Sequence, residues 1–320
     1  MPLVIPQDLP ANGILQEEQI FTITPQRAKT QDIRPLRVAI LNLMPKKEET
    51  ETQLLRMLSN TPLQVSVDFV RTDSYQSKNT SASHLARFYK TFGDIRRNKY
   101  DAMIVTGAPV EKMDFEEVDY WKELGEIFDF AKTNVFSTMF ICWASQAGLY
   151  HYYGIEKQEL REKIFGIFPY KLRASSLITK GFDDEFFIPQ SRYTLNPLDS
   201  ILNHPALTLI AGCEKTGAAI VTSKDNRQIF VSGHFEYNAD TLYQEYLRDK
   251  DLGLATAMPS NYFEEEQEKI HVRWRAHANL FFSNWLNYFV YQETPFDIER
   301  ISSDVLPTSR EGELQNQNQK

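Results

Sequence analysis

Cysteine is scarce in this 320-residue sequence, and the usual cysteine and histidine motifs for metal binding are absent. Two cysteines, Cys142 and Cys213, are too few for a disulfide framework in a chain of this length. Neither C-x-x-C nor H-E-x-x-H occurs, and the histidines and cysteines do not cluster. We therefore expect no metal site and no bound cofactor.

Loop motifs that bind nucleotides or carry a catalytic serine are missing too. The patterns G-x-G-x-x-G, G-x-x-x-x-G-K-[S/T] and G-x-S-x-G do not occur in the sequence. The first two absences remove the strongest sequence reasons to propose a dinucleotide site or a P-loop nucleotide site. The third removes the nucleophile elbow that is typical of serine hydrolases.

The sequence has no long hydrophobic run and no surplus of positive charge. Apolar runs such as residues 139–144 are far shorter than the roughly 20 residues that span a bilayer, and the N-terminus lacks the pattern of a signal peptide. The 35 Lys and Arg residues against 43 Asp and Glu residues give a net charge of −8, which disfavours binding to nucleic-acid phosphates. We expect a soluble cytoplasmic protein with neither a nucleic-acid partner nor a membrane partner.

Apolar residues make up 42% of the chain and follow alternating strand and helix patterns. Buried-strand patterns occur at residues 36–43, 63–70, 100–106 and 135–142, and helical patterns at 48–59, 81–91 and 114–132. This alternation predicts an α/β fold with a parallel sheet flanked by helices. Short strand patterns between residues 207 and 232 predict an antiparallel extension, and helical patterns follow at 239–250 and 272–291.

Composition predicts three regions along the chain. The first 35 residues are rich in Pro, Gln and Thr, which predicts an irregular N-terminal arm for residues 1–35. Residues 36–300 are expected to form a single α/β domain. Residues 301–320 are polar and rich in Gln and Asn, as expected of a loose tail.

Cys142 ends the fourth predicted strand and precedes a predicted helix at residues 144–153. In open α/β sheets, ligands bind outside the carboxyl ends of the strands, so the thiol is placed where a substrate would lie. The dipole and the free N–H groups of a helix N-terminus favour the nucleophilic thiolate. The backbone N–H of Trp143 could donate to an oxyanion formed at the same place. The alternative is an inert, buried structural cysteine, and we interpret Cys213 in that way.

A cysteine nucleophile needs a base, and His234 is the best placed of the six histidines. It lies in Gly233-His-Phe-Glu-Tyr, at the end of a predicted strand over residues 228–232. In extended backbone His234 and Glu236 point to the same side, so the carboxylate could orient the imidazole. H-x-E triplets are common by chance, and the strand-end position is what supports this one. The order Cys…His-x-Glu is similar to that of class I glutamine amidotransferases, in which the loop at Gly107 would supply a second oxyanion donor.

Several motifs over about residues 1–300 resemble the homoserine O-acyltransferases of the transsuccinylase type. In chain order they are Arg34-Pro-Leu-Arg-Val-Ala-Ile-Leu-Asn-Leu-Met-Pro-Lys-Lys, Ile104-Val-Thr-Gly-Ala-Pro, Cys142-Trp-Ala, Gly181-Phe-Asp-Asp, Pro189-Gln-Ser-Arg-Tyr, Gly233-His-Phe-Glu-Tyr and Asn284-Trp-Leu-Asn-Tyr. The resemblance implies an amidotransferase-like (flavodoxin-like) fold and a ping-pong reaction in which Cys142 is acylated by acyl-CoA. It also implies a homodimer, and an O-acyl homoserine product that enters methionine biosynthesis.

The resemblance assigns roles to individual residues of this chain. Cys142 matches the nucleophile, His234 the proton acceptor and Glu236 the third catalytic residue. Lys163, Ser191 and Arg248 match the substrate-binding positions.

Basic side chains would meet the anionic groups of the substrates. The guanidinium of Arg248 could hold the homoserine carboxylate through two hydrogen bonds. Lys46 and Lys47, at the end of the first strand, are possible contacts for acyl-CoA or a substrate carboxylate. Solvent-exposed charges are the alternative for all three residues.

The residue at position 111 is linked in this family to the choice of acyl donor. A carboxylate at Glu111 would repel the distal carboxylate of succinyl-CoA and fill its space, which favours acetyl-CoA as the co-substrate. If Glu111 points to solvent, succinyl-CoA stays open. Two further alternatives are an amidotransferase-like hydrolase and a binding protein with an unreactive Cys142.

Overall fold

The computed structural model describes residues 3–18, 20–29, 33–75, 79–264 and 269–304. The strands in these residues form two sheets, one large and mixed and one small and antiparallel. The strands are β1 (Leu3–Val4), β2 (Thr22–Ile23), β3 (Leu36–Leu41), β4 (Val65–Arg71), β5 (Tyr89–Thr91), β6 (Tyr100–Val105), β7 (Val135–Ile141), β8 (Gln158–Tyr170), β9 (Phe186–Leu195), β10 (Leu207–Cys213), β11 (Gly217–Ser223) and β12 (Gln228–Val231). Strands β8 and β9 form a separate antiparallel hairpin, and the others form one ten-stranded sheet.

The large sheet is mostly parallel. Its order is β10-β11-β12-β7-β6-β3-β4-β1-β2, with β5 beside β4. All pairs from β12 to β2 are parallel, whereas β11 runs antiparallel to both β10 and β12. The predicted fold class, a parallel sheet with an antiparallel extension, is confirmed.

Helices cover both faces of this sheet. They are α1 (Pro10–Glu17), α2 (Pro25–Ala28), α3 (Lys47–Ser59), α4 (Ala82–Phe88), α5 (Phe92–Ile95), α6 (Trp121–Asn134), α7 (Trp143–Tyr153), α8 (Leu198–Leu202), α9 (Thr241–Asp251) and α10 (Arg275–Asn284). A π-helical segment, Trp285–Tyr291, continues α10, and single 3-10 turns lie at Phe115–Glu117, Leu177–Thr179 and Ile298–Arg300. None of the helices in the described part of the chain has both the length and the apolar character needed to cross a membrane.

The central strand β3 shows how the sequence builds two cores. Its side chains alternate between faces, so Val38 and Ile40 pack in one apolar cluster, and Ala39 and Leu41 pack in the other. All four are 0% exposed. The first cluster also receives α3 and α10, and the second receives α6 and α7. Because both faces of β3 are buried, residues 38–41 are all apolar and show no alternation with polar residues.

The N-terminal segment differs from the predicted irregular arm. Strand β1 pairs in parallel with β4 and with β2, which extends the large sheet. Leu15 of α1 is 0% exposed and belongs to the same cluster as Leu54 and Leu58 of α3. Strands of two residues are too short to show periodicity, so the sequence pattern could not reveal them. Most of the predicted tail, residues 305–320, lies outside the described residues, and the single-domain division stays a prediction.

Other elements also depart from the sequence patterns. The hairpin of β8 and β9 was not predicted, because charged residues such as Arg161 and Glu162 interrupt its apolar alternation. The predicted helix over 81–91 ends at Phe88, since the next residues pair with β4. The predicted helix over 114–132 divides into the 3-10 turn Phe115–Glu117 and α6.

Candidate active site

Cys142 occupies a sharp turn between β7 and α7. Its backbone has φ 56° and ψ −119°, a strained conformation for a residue that carries a Cβ. The turn is held in place because the Cys142 N–H donates to the Val231 carbonyl at 2.7 Å, and the Cys142 carbonyl accepts from the Ser145 N–H at 3.0 Å. Strain at a single residue of this kind is often found where a side chain must face a substrate.

His234 and Glu236 follow β12, the strand that pairs with β7. His234 Nδ1 lies 2.6 Å from Glu236 Oε1, and both side chains are buried. His234 and Cys142 line one cavity, and Cys142 lies close enough to the imidazole to influence its pKa. The Tyr237 ring stacks on the imidazole at a centroid distance of 4.0 Å. The predicted Cys–His–Glu constellation is therefore assembled in the structure.

The electrostatics of this group favour a protonated imidazole. Burial alone lowers the pKa of His234, but the electrostatic influence of Cys142 and Glu236 and the hydrogen bond to Glu236 outweigh burial and raise that pKa to about 10. An imidazolium beside a cysteine and a carboxylate suits a cysteine nucleophile and its base.

Gly107 lies against the Cys142 side chain at the end of β6. A Cβ atom at position 107 would lie 3.1 Å from Cys142 Cβ and 3.6 Å from its Sγ. Glycine therefore permits the close approach of this loop to the thiol. Trp143 is the first residue of α7, where backbone N–H groups lack intrahelical acceptors. The two backbone segments that sequence reasoning selected for an oxyanion hole thus flank the thiol.

A cavity of about 490 Å³ opens onto Cys142 and His234. Its lining contains most of the other predicted site residues: Lys46, Gly107, Glu111, Lys163, Ser191 and Arg248. It also contains residues that sequence reasoning missed, including Tyr193, Tyr237, Thr241, Gln244, Glu245 and Asp249. The cavity lies outside the carboxyl ends of the parallel strands, as expected for an open α/β sheet.

Two acidic residues of α9 organise the substrate-binding candidates. Lys163 Nζ lies 2.8 Å from Glu245 Oε1 and 3.1 Å from Asp249 Oδ2. Ser191 Oγ donates to Glu245 Oε1 at 2.7 Å. Burial lowers the pKa of Lys163, but the two carboxylates outweigh burial and raise it, so the ammonium stays charged. Sequence reasoning missed both acids because charges on a helix are usually solvated.

Arg248 lies at the mouth of the same group. Its guanidinium binds Asp249 Oδ1 through Nη2 at 2.6 Å and through Nε at 3.0 Å. Its side chain is 53% exposed. Arg248 is therefore a partly solvated cation beside the cavity, tied to the cluster of Lys163, Glu245 and Asp249.

Glu111 faces the cavity and is not directed to solvent. Its Oε2 accepts a hydrogen bond from the Tyr193 N–H at 3.0 Å. Burial raises the pKa of the Glu111 carboxyl, although this hydrogen bond opposes the rise. The positive charges of Arg192 and Lys163 oppose it as well.

The two predicted lysine contacts lie in different environments. Lys46 lines the cavity and is 68% exposed. Lys47 is buried outside the cavity lining, where its Nζ donates to the carbonyls of Asn42 and Met44. Burial lowers the pKa of Lys47 to about 8. The expected substrate contact therefore fits the position of Lys46 and does not fit that of Lys47.

The other cysteine lies apart from this site. Cys213 ends β10, and its Sγ lies 3.1 Å from Thr216 Oγ1. Within the described ranges, no group of three or more His, Cys, Asp and Glu residues is placed to hold a metal ion.

The fold and the site together define a class of protein. A glutamine amidotransferase from Thermotoga maritima shares the fold with a TM-score of 0.53 and 13% sequence identity, over 81% of this chain and 99% of that one. A glutamine amidotransferase from Methylobacillus flagellatus matches with a TM-score of 0.50 and 13% identity, over 80% and 95% of the two chains. The chain is thus an α/β protein of the glutamine amidotransferase fold, with a cysteine, a histidine and a glutamate at the ends of neighbouring strands.

Sequence comparison identifies the family within that class. The homoserine O-succinyltransferase family model matches residues 2–296, and the chain belongs to this family. A protein of Bacillus cereus named homoserine O-acetyltransferase is 54% identical over 299 residues, which cover 92% of this chain and 99% of that protein. A Clostridium acetobutylicum protein of the same name is 53% identical over 301 residues, 93% and 100% of the two chains. The family resemblance in the sequence motifs is confirmed.

Proposed function

We propose that this protein transfers the acetyl group of acetyl-CoA to the γ-hydroxyl of L-homoserine through an acyl-enzyme on Cys142. The observation that supports this proposal most strongly is a cavity lined by Cys142, His234 and Glu111, in which Glu236 holds His234 from behind the lining. Relatives named homoserine O-acetyltransferase support this reaction. The product would serve methionine biosynthesis.

The first half-reaction acylates the enzyme. The Cys142 thiolate attacks the thioester carbonyl of acetyl-CoA, and the resulting oxyanion accepts hydrogen bonds from backbone N–H groups at Trp143 and Gly107. The carbon–sulfur bond to CoA then breaks, and His234 gives its proton to the departing CoA thiolate. The products are an acetyl thioester on Cys142 and a neutral imidazole.

The second half-reaction passes the acetyl group to homoserine. Neutral His234 removes the proton of the γ-hydroxyl as that oxygen attacks the thioester. The bond to Cys142 Sγ breaks, and the thiolate is restored beside an imidazolium. Glu236 holds the ring orientation and stabilises the imidazolium at Nδ1.

The charges beside the cavity match an α-amino acid. Arg248 and Lys163 supply cations for the homoserine carboxylate, and Glu245 and Asp249 supply anions for its ammonium group. Ser191 adds a hydroxyl next to Glu245. Glu111 places a further carboxylate in the cavity, which disfavours the second carboxylate of a succinyl group.

The first experiment measures free-thiol release from acetyl-CoA and from succinyl-CoA, each with and without L-homoserine. Homoserine-dependent turnover with acetyl-CoA supports the proposal. Turnover with succinyl-CoA alone would refute the acetyl donor and retain the transferase. Thiol release at the same rate with and without homoserine would indicate a hydrolase. No thiol release from either donor would indicate a binding protein.

A second measurement tests the acyl-enzyme directly. Intact mass after mixing with acetyl-CoA alone should show one acetyl adduct on the unaltered protein and none on Cys142→Ala. An adduct that persists in the variant would exclude Cys142 as the nucleophile.

We also propose a homodimer, which the family resemblance implies, and a cytoplasmic location, which the sequence pattern predicts. Sedimentation equilibrium at several protein concentrations tests the first point, and fractionation of the source cells tests the second.

A further inference from the structure

A single ammonium group holds the loop that carries Glu111. Lys157 Nζ donates to the Glu111 carbonyl at 2.5 Å and also to the Met113 carbonyl. The same Nζ lies 4.6 Å from the centroid of the Phe115 ring. Hydrogen bonds from a charged donor are roughly twice as strong as neutral ones, and the ring face adds a cation–π attraction. Lys157 thus contacts the loop between β6 and α6 at three successive places.

Lys157 is itself fixed to the helix that begins at the nucleophile. It follows α7, and the residue that caps the C-terminus of this helix, Gly154, has a left-handed conformation with φ 65°. Ile155 is 5% exposed and packs in the core on that side of the sheet. The Glu156 carbonyl accepts from Asn196 Nδ2 at 3.3 Å. The ammonium group therefore extends from a rigid base.

The loop that carries Glu111, residues 107–113, contains neither strand nor helix. Apart from the turn bond between the Met113 N–H and the Val110 carbonyl, its contacts are made by side chains. The Glu111 carboxylate reaches the Tyr193 N–H on β9, and Lys112 Nζ lies 3.7 Å from the centroid of the Tyr193 ring. A loop of this kind keeps one conformation only while such contacts persist.

We propose that Lys157 is a positioning residue for acyl-donor selection. By binding the carbonyls of Glu111 and Met113, it orients the loop so that the Glu111 carboxylate reaches Tyr193 and occupies the acyl end of the cavity. Lys157 does not line the cavity among the described residues, so it acts through Glu111 and not on the substrate. The inference rests on the proposed function, because it concerns the choice between acetyl and succinyl donors.

The test compares Lys157→Met with Lys157→Arg and with Lys171→Met, a substitution at an exposed position. The readout is the ratio of kcat/KM for acetyl-CoA to kcat/KM for succinyl-CoA at saturating homoserine. We expect Lys157→Met to lower this ratio at least about fivefold, because the loss of a charged hydrogen bond frees the loop. Lys157→Arg should retain most of the selectivity, and the KM for homoserine should stay within about twofold.

A double variant separates positioning from a general structural role. In a Glu111→Gly background, Lys157→Met should not change the donor ratio further, since the group that it positions is gone. An unchanged ratio in the single variant would overturn the proposal. An equal additional change in the double variant would also overturn it, because Lys157 would then act without Glu111.

A readout independent of turnover is hydrogen exchange in the peptides that contain residues 107–113 and Tyr193. Exchange of these amides should be faster in Lys157→Met than in Lys171→Met, and the Tyr193 amide should respond likewise to Glu111→Gly. Equal exchange in both lysine variants would show that Lys157 does not hold the loop. If the unaltered protein transfers no acyl group to homoserine, the proposed function fails, and this measurement still decides whether Lys157 anchors Glu111.

Discussion

At the scale of single residues, the site depends on partners that balance buried charge. The charged form of the buried His234 ring is stabilised by Cys142 and Glu236. Lys163 stays charged because Glu245 and Asp249 lie within hydrogen-bond distance. Removing one member of such a group leaves its partner buried and unpaired, which costs more than the lost bond itself.

Glu236→Gln should lower kcat by about 10²–10⁴-fold, because the imidazolium loses its buried counter-charge and the ring loses its orientation. Stopped-flow turnover with acetyl-CoA and homoserine measures the effect. The KM values should change much less than kcat, since Glu236 is absent from the cavity lining among the described residues. A variant with nearly full kcat would remove Glu236 from the mechanism.

Lys47 provides a prediction about pH. Burial lowers its pKa to about 8, so between that value and its ordinary 10.5 the unfolded chain binds more protons and stability rises with pH. Relative to Lys47→Met, the unaltered protein should gain up to about 3 kcal/mol of unfolding free energy across this window. Urea unfolding at a series of pH values measures the gain. Lys46→Met is the control at an exposed neighbouring position, and a flat difference for Lys47→Met would contradict the prediction.

At the scale of elements, the ends of parallel strands bring the site together. Strand β7 delivers Cys142, the loop after β6 delivers Gly107 and Glu111, and the turn after β12 delivers His234 and Glu236. Helix α9 supplies Glu245, Arg248 and Asp249 from outside the sheet. The hairpin of β8 and β9 supplies Lys163, Ser191 and Tyr193.

The close contact between the loop after β6 and the turn at Cys142 can be tested at Gly107. A Cβ in Gly107→Ala would lie 3.1 Å from Cys142 Cβ, so either the loop or the thiol must shift. A displacement of a few tenths of an ångström should lower kcat by about tenfold. Gly93→Ala is the matched control, because its Cβ would meet nothing closer than 3.5 Å. Equal activity of the two variants would show that the contact is not needed for catalysis.

At the scale of the whole molecule, the N-terminal segment is part of the sheet and the core. Strand β1 extends the sheet beyond β4, and α1 packs on α3. Leu9 and Leu15 are 2% and 0% exposed. The segment from Leu3 to Leu15 therefore packs with the same core as the strands that carry the site.

Neighbouring residues of α1 test that conclusion. Leu15→Ala should lower the unfolding free energy by about 2–5 kcal/mol, because it leaves a cavity in the core. Ile14→Ala, at a side chain that is 45% exposed, should cost less than about 1 kcal/mol. Thermal and urea unfolding measure both values. Similar small losses would mean that the segment folds independently of the core.

Sequence alone predicted the parts of this protein that local pattern controls. Apolar runs such as that of β7 are long enough to mark a buried strand, and their ends predicted where Cys142, His234 and Glu236 would lie. The family motifs added Lys163, Ser191 and Arg248 as predicted substrate-binding positions, and all three line the cavity.

Only the tertiary structure decided which charged side chains enter the site. Lys46 and Lys47 are adjacent in sequence, yet one lines the cavity and the other is buried against Asn42 and Met44. From the sequence, Glu245 and Asp249 are indistinguishable from solvated charges on a helix. In the structure, both carboxylates contact Lys163. Strands and helices follow from side chains close in sequence, whereas burial and pairing of charge depend on partners that are distant in the chain and meet only when it folds.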